Sequence, residues 1–169
     1  MKFKAGSKHA RAGGGEVEGA EELMELLNAL GEAAAMKALQ RATNYAMTPV
    51  LKSAIKNAPE SEQAHNFYIN GRKAEPFLVP PGWLKSSIVK RKVPARVLRH
   101  YGKVATAVFI ADRAWYGWFV EAGTSRQPGQ HFMRKAWESN EAEVKARFTK
   151  KLFQDVKRTF PGITFKGSY

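Results

Sequence analysis

The sequence predicts an α+β fold in which a small antiparallel sheet packs against two long helices. Apolar residues recur every three or four positions from Leu23 to Ile55, and again from Met133 to Phe160. This spacing places them on one face of a helix. Between these regions, β-branched residues dominate positions 104–111, which is typical of a strand. Helical and strand segments that occupy separate parts of a chain favour an α+β arrangement.

The length and composition indicate one domain that folds without a covalent or metal cross-link. The chain has 169 residues and no cysteine, which is enough to bury a core and excludes disulfides and thiolate chemistry. We expect a flexible basic arm at 1–16, the domain at 17–160, and a C-terminal tail or edge strand at 161–169. A loop or hairpin insertion is expected at 60–81.

The first helical region starts with acidic residues, which suit the positive end of a helix dipole. Residues 17–19 could form a very short strand before it. Pro49 interrupts the apolar stripe, so the helix is expected to kink or restart there, with Thr48 as its cap. Ala58 and Pro59 are expected to end it, because the residue before a proline avoids helical angles.

The middle of the chain is predicted to form two pairs of short strands. Asn70-Gly71 is a turn signal between apolar runs at 67–69 and 77–79, which indicates a hairpin. One helical turn at 84–88 is expected to lead into a strand at 88–93. That strand is predicted to pair antiparallel with residues 104–111 through the connection 94–103.

The last third is predicted to be mainly one helix. Residues 115–122 should form a short helix or turn. From Gln130 the helical period returns and continues to Phe160, which gives a helix of about 30 residues, long for a globular protein. Pro161-Gly162 should end it, and residues 163–165 could add an edge strand.

The net charge of +13 predicts attraction to polyanions. Two stretches are basic without any acid: residues 1–15 of the N-terminal arm and the segment from 85 to 103. This basic segment is either a solvated face or a contact for nucleic acid or an acidic protein surface. Its cations are the candidate DNA-facing residues: Lys85, Lys90, Arg91, Lys92, Arg96, Arg99 and Lys103.

No pattern predicts catalysis, a cofactor or a metal site. The chain has no nucleophile elbow and no phosphate-binding loop, and its four histidines lack metal-ligand spacing. Asp112 and Glu121 could serve as acid and base. We favour structural roles instead, with Asp112 capping a turn and Glu121 accepting hydrogen bonds from backbone or arginine. The N-terminus does not resemble a signal peptide, and no apolar run is long enough to span a membrane.

An aromatic block lies directly before Glu121 and the turn at Gly123-Thr124. Its members are Trp115, Tyr116, Trp118 and Phe119. Stacking platforms for nucleic acid usually alternate aromatic and basic residues along strands, whereas these aromatics are clustered. We therefore predict core packing or a subunit interface, which aromatic residues favour. Phe132, Met133 and Trp137 have helical spacing and are predicted to be core.

Several short motifs occur in a defined order between residues 17 and 150. Together they resemble the small tail-completion, or head–tail joining, proteins of long-tailed bacteriophages, also described as minor tail components. The matching segments are Gly19-Ala20-Glu21-Glu22-Leu23, Ala58-Pro59, Gly82-Trp83-Leu84-Lys85-Ser86-Ser87-Ile88, Tyr116, Phe119-Val120-Glu121-Ala122-Gly123-Thr124 and Phe132-Met133-Arg134-Lys135-Ala136. Two features depart from the family pattern. Residues 60–81 form an insertion that could contact a different neighbour, and His131 stands where proline is usual, so the entry to the last helix should differ.

The resemblance implies a structural virion protein and no enzyme activity. Proteins of this kind form homo-oligomeric rings, often hexamers, in the neck or tail, next to neck, connector and tail-tube proteins. The implied location is the virion, after synthesis in the host cytoplasm, with no membrane contact and with possible non-specific contact with genome DNA. The alternative is a basic nucleic-acid-binding protein that uses the basic segment and the N-terminal arm. The interface or motif residues are Trp115, Tyr116, Trp118, Phe119, Glu121, Gly123, Thr124, Phe132 and Arg134.

Overall fold

The α+β class is confirmed in the computed structural model, which describes residues 20–67, 77–98 and 103–160. The helices are α1 (Ala20–Ala29), α2 (Glu32–Ala46), α3 (Thr48–Asn57), α4 (Trp83–Ser87), α5 (Ala95–Leu98), α6 (Gly117–Ala122), α7 (Phe132–Glu138) and α8 (Glu141–Thr159). The strands are β1 (His65–Phe67), β2 (Phe77–Val79), β3 (Ile88–Lys92), β4 (Thr106–Ile110), β5 (Gly123–Thr124) and β6 (Gln127–Pro128). A 3-10 turn spans Asp112–Ala114.

The first helical region is divided into three helices. The predicted restart is confirmed, since α3 begins at Thr48 with Pro49 in its first turn, although Met47 and not Thr48 occupies the cap position. A second break, which the sequence analysis missed, lies at Gly31. Its φ of 76° is left-handed, which glycine adopts readily at helix ends. Ala58 is extended and ends α3, as predicted.

The prediction of one continuous C-terminal helix was wrong, because the helix breaks between α7 and α8. Two polar side chains donate to carbonyls of the preceding turn: Ser139 Oγ to Lys135 O at 2.8 Å and Asn140 Nδ2 to Ala136 O at 2.8 Å. Side chains of this type compete with backbone amides for helical carbonyls. The helix therefore ends after α7, and α8 starts as a separate element.

Both predicted strand pairs are present. β3 pairs antiparallel with β4, with Ile88 opposite Ile110 at one end and Lys92 opposite Thr106 at the other. The connection between them contains α5, which the sequence analysis did not predict. Within the 60–81 insertion, β1 pairs antiparallel with β2. β1 begins two residues before the predicted run at 67–69 and shares Phe67 with it. The Asn70-Gly71 turn signal lies outside the described residues.

The main core lies where α3 and α7 pack against α4 and the β3–β4 hairpin. It is formed by Val50, Ala54, Ala58, Leu84, Ile88, Ile110, Ala114, Phe132 and Ala136. A second cluster joins α2 to α8 through Ala38, Ala42 and Leu152. Beside it, the buried carboxylate of Asp155 pairs with Lys151 Nζ at 2.9 Å and with Arg41 Nε at 3.4 Å.

Several predictions concern residues that the structure does not describe. They are the basic arm at 1–16, the short strand at 17–19, the tail at 161–169 with its edge strand, and Arg99. These predictions remain untested.

Gly117 is the point at which α6 meets the core. It is buried, and a Cβ there would lie 2.6 Å from Leu84 Cδ1 and 3.1 Å from two side-chain atoms of Ile110. Gly117→Ala should destabilise the protein, because overpacking costs about 1–3 kcal/mol and exceeds the roughly 1 kcal/mol that alanine gains in a helix. Urea unfolding measures the effect. Trp118→Ala, at the next and exposed position, is the control and should change stability little. Equal midpoints for wild type and Gly117→Ala would show that α6 is not seated on the core.

Candidate assembly surface

The carboxylate of Glu121 caps the N-terminus of α7. Its Oε2 accepts a hydrogen bond from Met133 N at 2.9 Å, and its Oε1 accepts one from Arg134 N at 3.1 Å. The first amides of a helix have no partner within the helix, and the helix dipole attracts negative charge to them. The predicted role of Glu121 as an acceptor of backbone hydrogen bonds is confirmed. One side chain thus fixes the end of α6 to the beginning of α7.

The chain between these two helices forms a tight ribbon. Thr124 pairs with Gln127, and the two-residue turn is closed by Arg126 N donating to Thr124 Oγ1 at 3.2 Å. Gly123 has a φ of 87°, and a Cβ there would lie 2.5 Å from Gly129 N. A Cβ on Gly129 would in turn lie 2.6 Å from Glu121 O. The backbones approach so closely that both positions require glycine.

His131 gives α7 an entry that proline could not give. It occupies the cap position with φ 53° and ψ 36°, in the left-handed region. Proline is held near a φ of about −65°, so it cannot adopt this conformation. A proline at this position would therefore require a different entry into α7. Its amide donates to Glu121 O at 3.2 Å, which adds a further link to the end of α6.

The aromatic block is divided between the core and the surface. Trp118 and Phe119 are 58% and 53% exposed, and Trp115 is 39% exposed. The rings of Trp115 and Phe119 meet edge to face at 5.7 Å. Tyr116 instead packs against the main core, and burial raises the pKa of its hydroxyl. We call the exposed residues Trp115, Trp118 and Phe119 the aromatic ridge.

Two aromatic residues of α7 were predicted to be core, and one of them is. Phe132 is 1% exposed and belongs to the main core, which confirms the core prediction and contradicts its listing as a candidate interface residue. It therefore lies beneath the surface and is inaccessible to a partner in this conformation. Trp137, predicted to be core, is 42% exposed, because the buried face of α7 carries Phe132 and Ala136 and the next residue is rotated by about 100° from that face. Arg134 is exposed, as a contact residue must be.

An arginine–tryptophan interaction, which the sequence analysis did not predict, anchors the segment before the ridge. Arg113 Nε donates to the buried Ser87 Oγ at 2.9 Å, and its guanidinium lies 5.1 Å from the ring centroid of Trp83. Trp83 Nε1 returns a hydrogen bond to Arg113 O at 3.1 Å. The sequence signal was weak, because a lone arginine 30 residues after a tryptophan has no diagnostic spacing.

Several cations of the basic segment are engaged within the molecule. Lys85 pairs with Glu60 and Lys103 with Glu32, each at 2.8 Å. Lys90 Nζ donates to Asn44 O and, at 2.9 Å, to Thr48 Oγ1, and burial lowers its pKa. Arg91, Lys92 and Arg96 are exposed. The candidate DNA-facing residues therefore do not form one uniform basic face.

Both residues of the candidate acid–base pair occupy positions in the backbone framework of the site. Glu121, one member of the candidate acid–base pair, is committed to two backbone amides, and Asp112 begins the 3-10 turn. Among the residues that the structure describes, no cluster of three or more histidine or carboxylate side chains is placed to hold a metal ion. In the same residues, no helix combines the length and apolarity needed to cross a membrane.

Substitution of Gly123 tests the tight ribbon. Gly123→Val should prevent folding or assembly, because the side chain would collide with the backbone of Gly129 and favour a different φ. Gly31→Val is the matched control, since Gly31 has a similar φ of 76° but a Cβ there would meet no atom within 4 Å. We expect a larger fall in thermal midpoint for Gly123→Val. Equal falls would mean that backbone angle alone matters, and a stable Gly123→Val variant that assembles normally would contradict the assigned role.

Removal of the Glu121 carboxylate tests the helix cap. Glu121→Ala should lower the free energy of unfolding by about 1–3 kcal/mol, because it leaves two amides without their acceptor. Glu121→Gln keeps one acceptor oxygen and should lose less. The control is Glu138→Ala at the other end of α7, where a negative charge opposes the helix dipole and its removal should be neutral or favourable. Equal losses at 121 and 138 in urea unfolding would exclude a capping role.

Comparisons of the chain with family models, curated proteins and solved structures find no match. The similarity to tail-completion proteins therefore depends on the motifs of the sequence itself. In the fold, the motif at 119–124 and the motif at 132–136 become one unit, joined by the Glu121 cap.

Proposed function

We propose that this protein is a structural virion protein of a long-tailed phage or prophage. It forms a ring, with six copies favoured, at the head–tail junction or tail end, where it completes the tail and joins it to its neighbours. The observation that carries the proposal is the placement of the most specific motif. Its Glu121 and Gly123 fix the backbone between α6 and α7, and α6 carries two residues of the exposed aromatic ridge.

The exposure of the ridge supports a contact function. Exposed apolar groups that lie close together on a monomer mark interaction sites, and tryptophan is strongly enriched among interface hot spots. The ridge begins after a turn anchored by Arg113, and two of its three residues belong to a helix seated by Gly117. A ridge held in this way loses little conformational freedom on binding, which lowers the entropic cost of association.

The proposed partners follow from the ring role. They are further copies of the chain, the neck and connector proteins on one side, and the tail-tube protein on the other. The proposal includes no enzyme activity and no cofactor. Genome DNA passing through such a ring would meet basic side chains without being read for sequence. The protein would be made in the host cytoplasm and reside in the virion.

Nucleic-acid binding remains the second candidate because of the charge of +13. The intramolecular contacts of Lys85, Lys90 and Lys103 reduce the number of cations that a phosphate backbone could engage. A true binder should show an affinity for duplex or single strands that falls steeply with salt. A ring subunit should instead form a species of high mass at a salt concentration that abolishes such binding.

Deletion of the gene in its phage or prophage tests the proposed function. Electron microscopy should show tailless heads or unjoined tails, and a wild-type copy supplied in trans should restore infectious particles. A copy with Trp118→Ala and Phe119→Ala should fail to restore them, whereas Glu138→Ala, the surface control, should succeed. Intact infectious virions without the protein, or substrate turnover by the purified protein, would contradict the proposal.

A further inference from the structure

We infer that the aromatic ridge of one copy docks into a groove on the β3–β4 hairpin of the next copy. This inference rests on the proposed ring-forming role and names the two surfaces that would build it. The groove has a volume of about 600 Å³. We call it the hairpin groove, and its lining includes Arg91, Val93, Pro94, Val97, Ala107 and Phe109.

The groove lies on the outer face of a hairpin that has apolar residues on both faces. On the inner face, Thr106 hydrogen-bonds to Gln40 and Thr43 of α2. Side chains alternate along a strand, so the paired residues Arg91 and Ala107 lie on the opposite face. Helices bury the inner face, while apolar side chains of the outer face line an open groove. A second copy can cover it.

The chemistry of the groove suits an aromatic occupant. The Arg91 guanidinium lies 5.9 Å from the ring centroid of Phe109, so a cation already rests on an aromatic ring in the groove. Val97, in α5, is 39% exposed beside it. An indole such as Trp118 could stack on the guanidinium and fill the apolar floor, and both contacts are favourable when water is excluded.

The charges of the two surfaces are complementary. Arg91 and Lys92 are exposed at the groove. Asp112 is exposed three residues before the first tryptophan of the ridge. Two copies that each carry a large positive charge repel one another, so a docked acid reduces that repulsion where the copies meet. The pairing of a neighbour's Asp112 with the exposed Arg91 is the observation that favours a second copy as the occupant of the groove.

The two surfaces lie toward opposite ends of the hairpin. The ridge follows the Ile110 end through the 3-10 turn, while Val93, Pro94 and Val97 extend the groove beyond the Lys92 end. The length of the paired strands separates these ends by about 14 Å. Contact between unlike surfaces is a heterologous interface, which closes into a ring when the rotation between copies permits.

Engineered cysteines test this inference directly, because the chain contains none of its own. Val97→Cys combined with Ala122→Cys places one thiol in the groove and one beside the ridge, since Ala122 is exposed one helical turn after Trp118; all three ridge residues are kept. Mild oxidation should give a ladder of covalent multimers that collapses on reduction. The matched control combines Ala122→Cys with Ala146→Cys on the exposed face of α8 and should give far less multimer, because no docking brings these two thiols together. Equal ladders for both pairs, or no ladder for the first pair at concentrations where the wild type self-associates, would overturn the inference. A wild type that stays monomeric at every concentration would also overturn it.

Mixing two blocked variants tests the head-to-tail polarity. Trp118→Asp removes the ridge contact and Ala107→Arg obstructs the groove, so each variant alone should be monomeric by mass photometry. Together they retain one working ridge and one working groove, and the mixture should form dimers that grow no further. A mixture that stays monomeric, or variants that assemble alone, would exclude the docking. These results do not depend on virion structure, so the docking and the proposed function can fail separately in the cysteine and deletion experiments.

Discussion

The hydrogen bonds from the first amides of α7 to the Glu121 carboxylate are the constraint on which the surface depends. α7 carries Phe132 and Ala136 into the main core, whereas α6 carries two residues of the aromatic ridge. The cap joins these helices across a ribbon that reverses the chain in a few residues. Without it, the two helices would be held together by the backbone contacts around Gly123 and Gly129 and by their shared packing on the main core.

The cap also explains why an unusual backbone is tolerated at His131. A residue other than glycine in the left-handed region costs on the order of 1 kcal/mol. In this position it turns the chain so that the amides of Met133 and Arg134 point at the carboxylate. Hydrogen bonds to a charged acceptor contribute about 1.5–3 kcal/mol each, so they outweigh the strain. The strained His131 and the buried Phe132 that follows it both belong to the junction that the Glu121 cap holds.

Periodicity was sufficient to predict the elements but not their interruptions. The strand pair at 88–92 and 106–110 followed from residue type, and the restart at Pro49 followed from proline geometry. The break at Ser139 and Asn140 could not be predicted, because both residues occur within helices and act here through donation to particular carbonyls. For the site, clustering predicted core packing or a subunit interface, and the structure divides the aromatic block between core and surface. Which aromatics are exposed depends on Gly117, whose lack of a side chain lets Leu84 and Ile110 approach.

The distribution of charge bears on how a ring of such subunits could be stable. Each copy carries +13, so neighbouring copies in a ring repel unless the charge is paired or screened. Lys85 and Lys103 are already paired with acids of their own chain. Arg91 and Lys92, in contrast, flank the groove where a neighbour's Asp112 would arrive. Pairing at this contact between copies would lower their repulsion locally. A polyanion inside the ring would lower the repulsion that remains. A basic composition is then compatible with ring assembly. The positive charge opposes association of the copies, and nucleic acid enclosed by the ring would weaken that opposition.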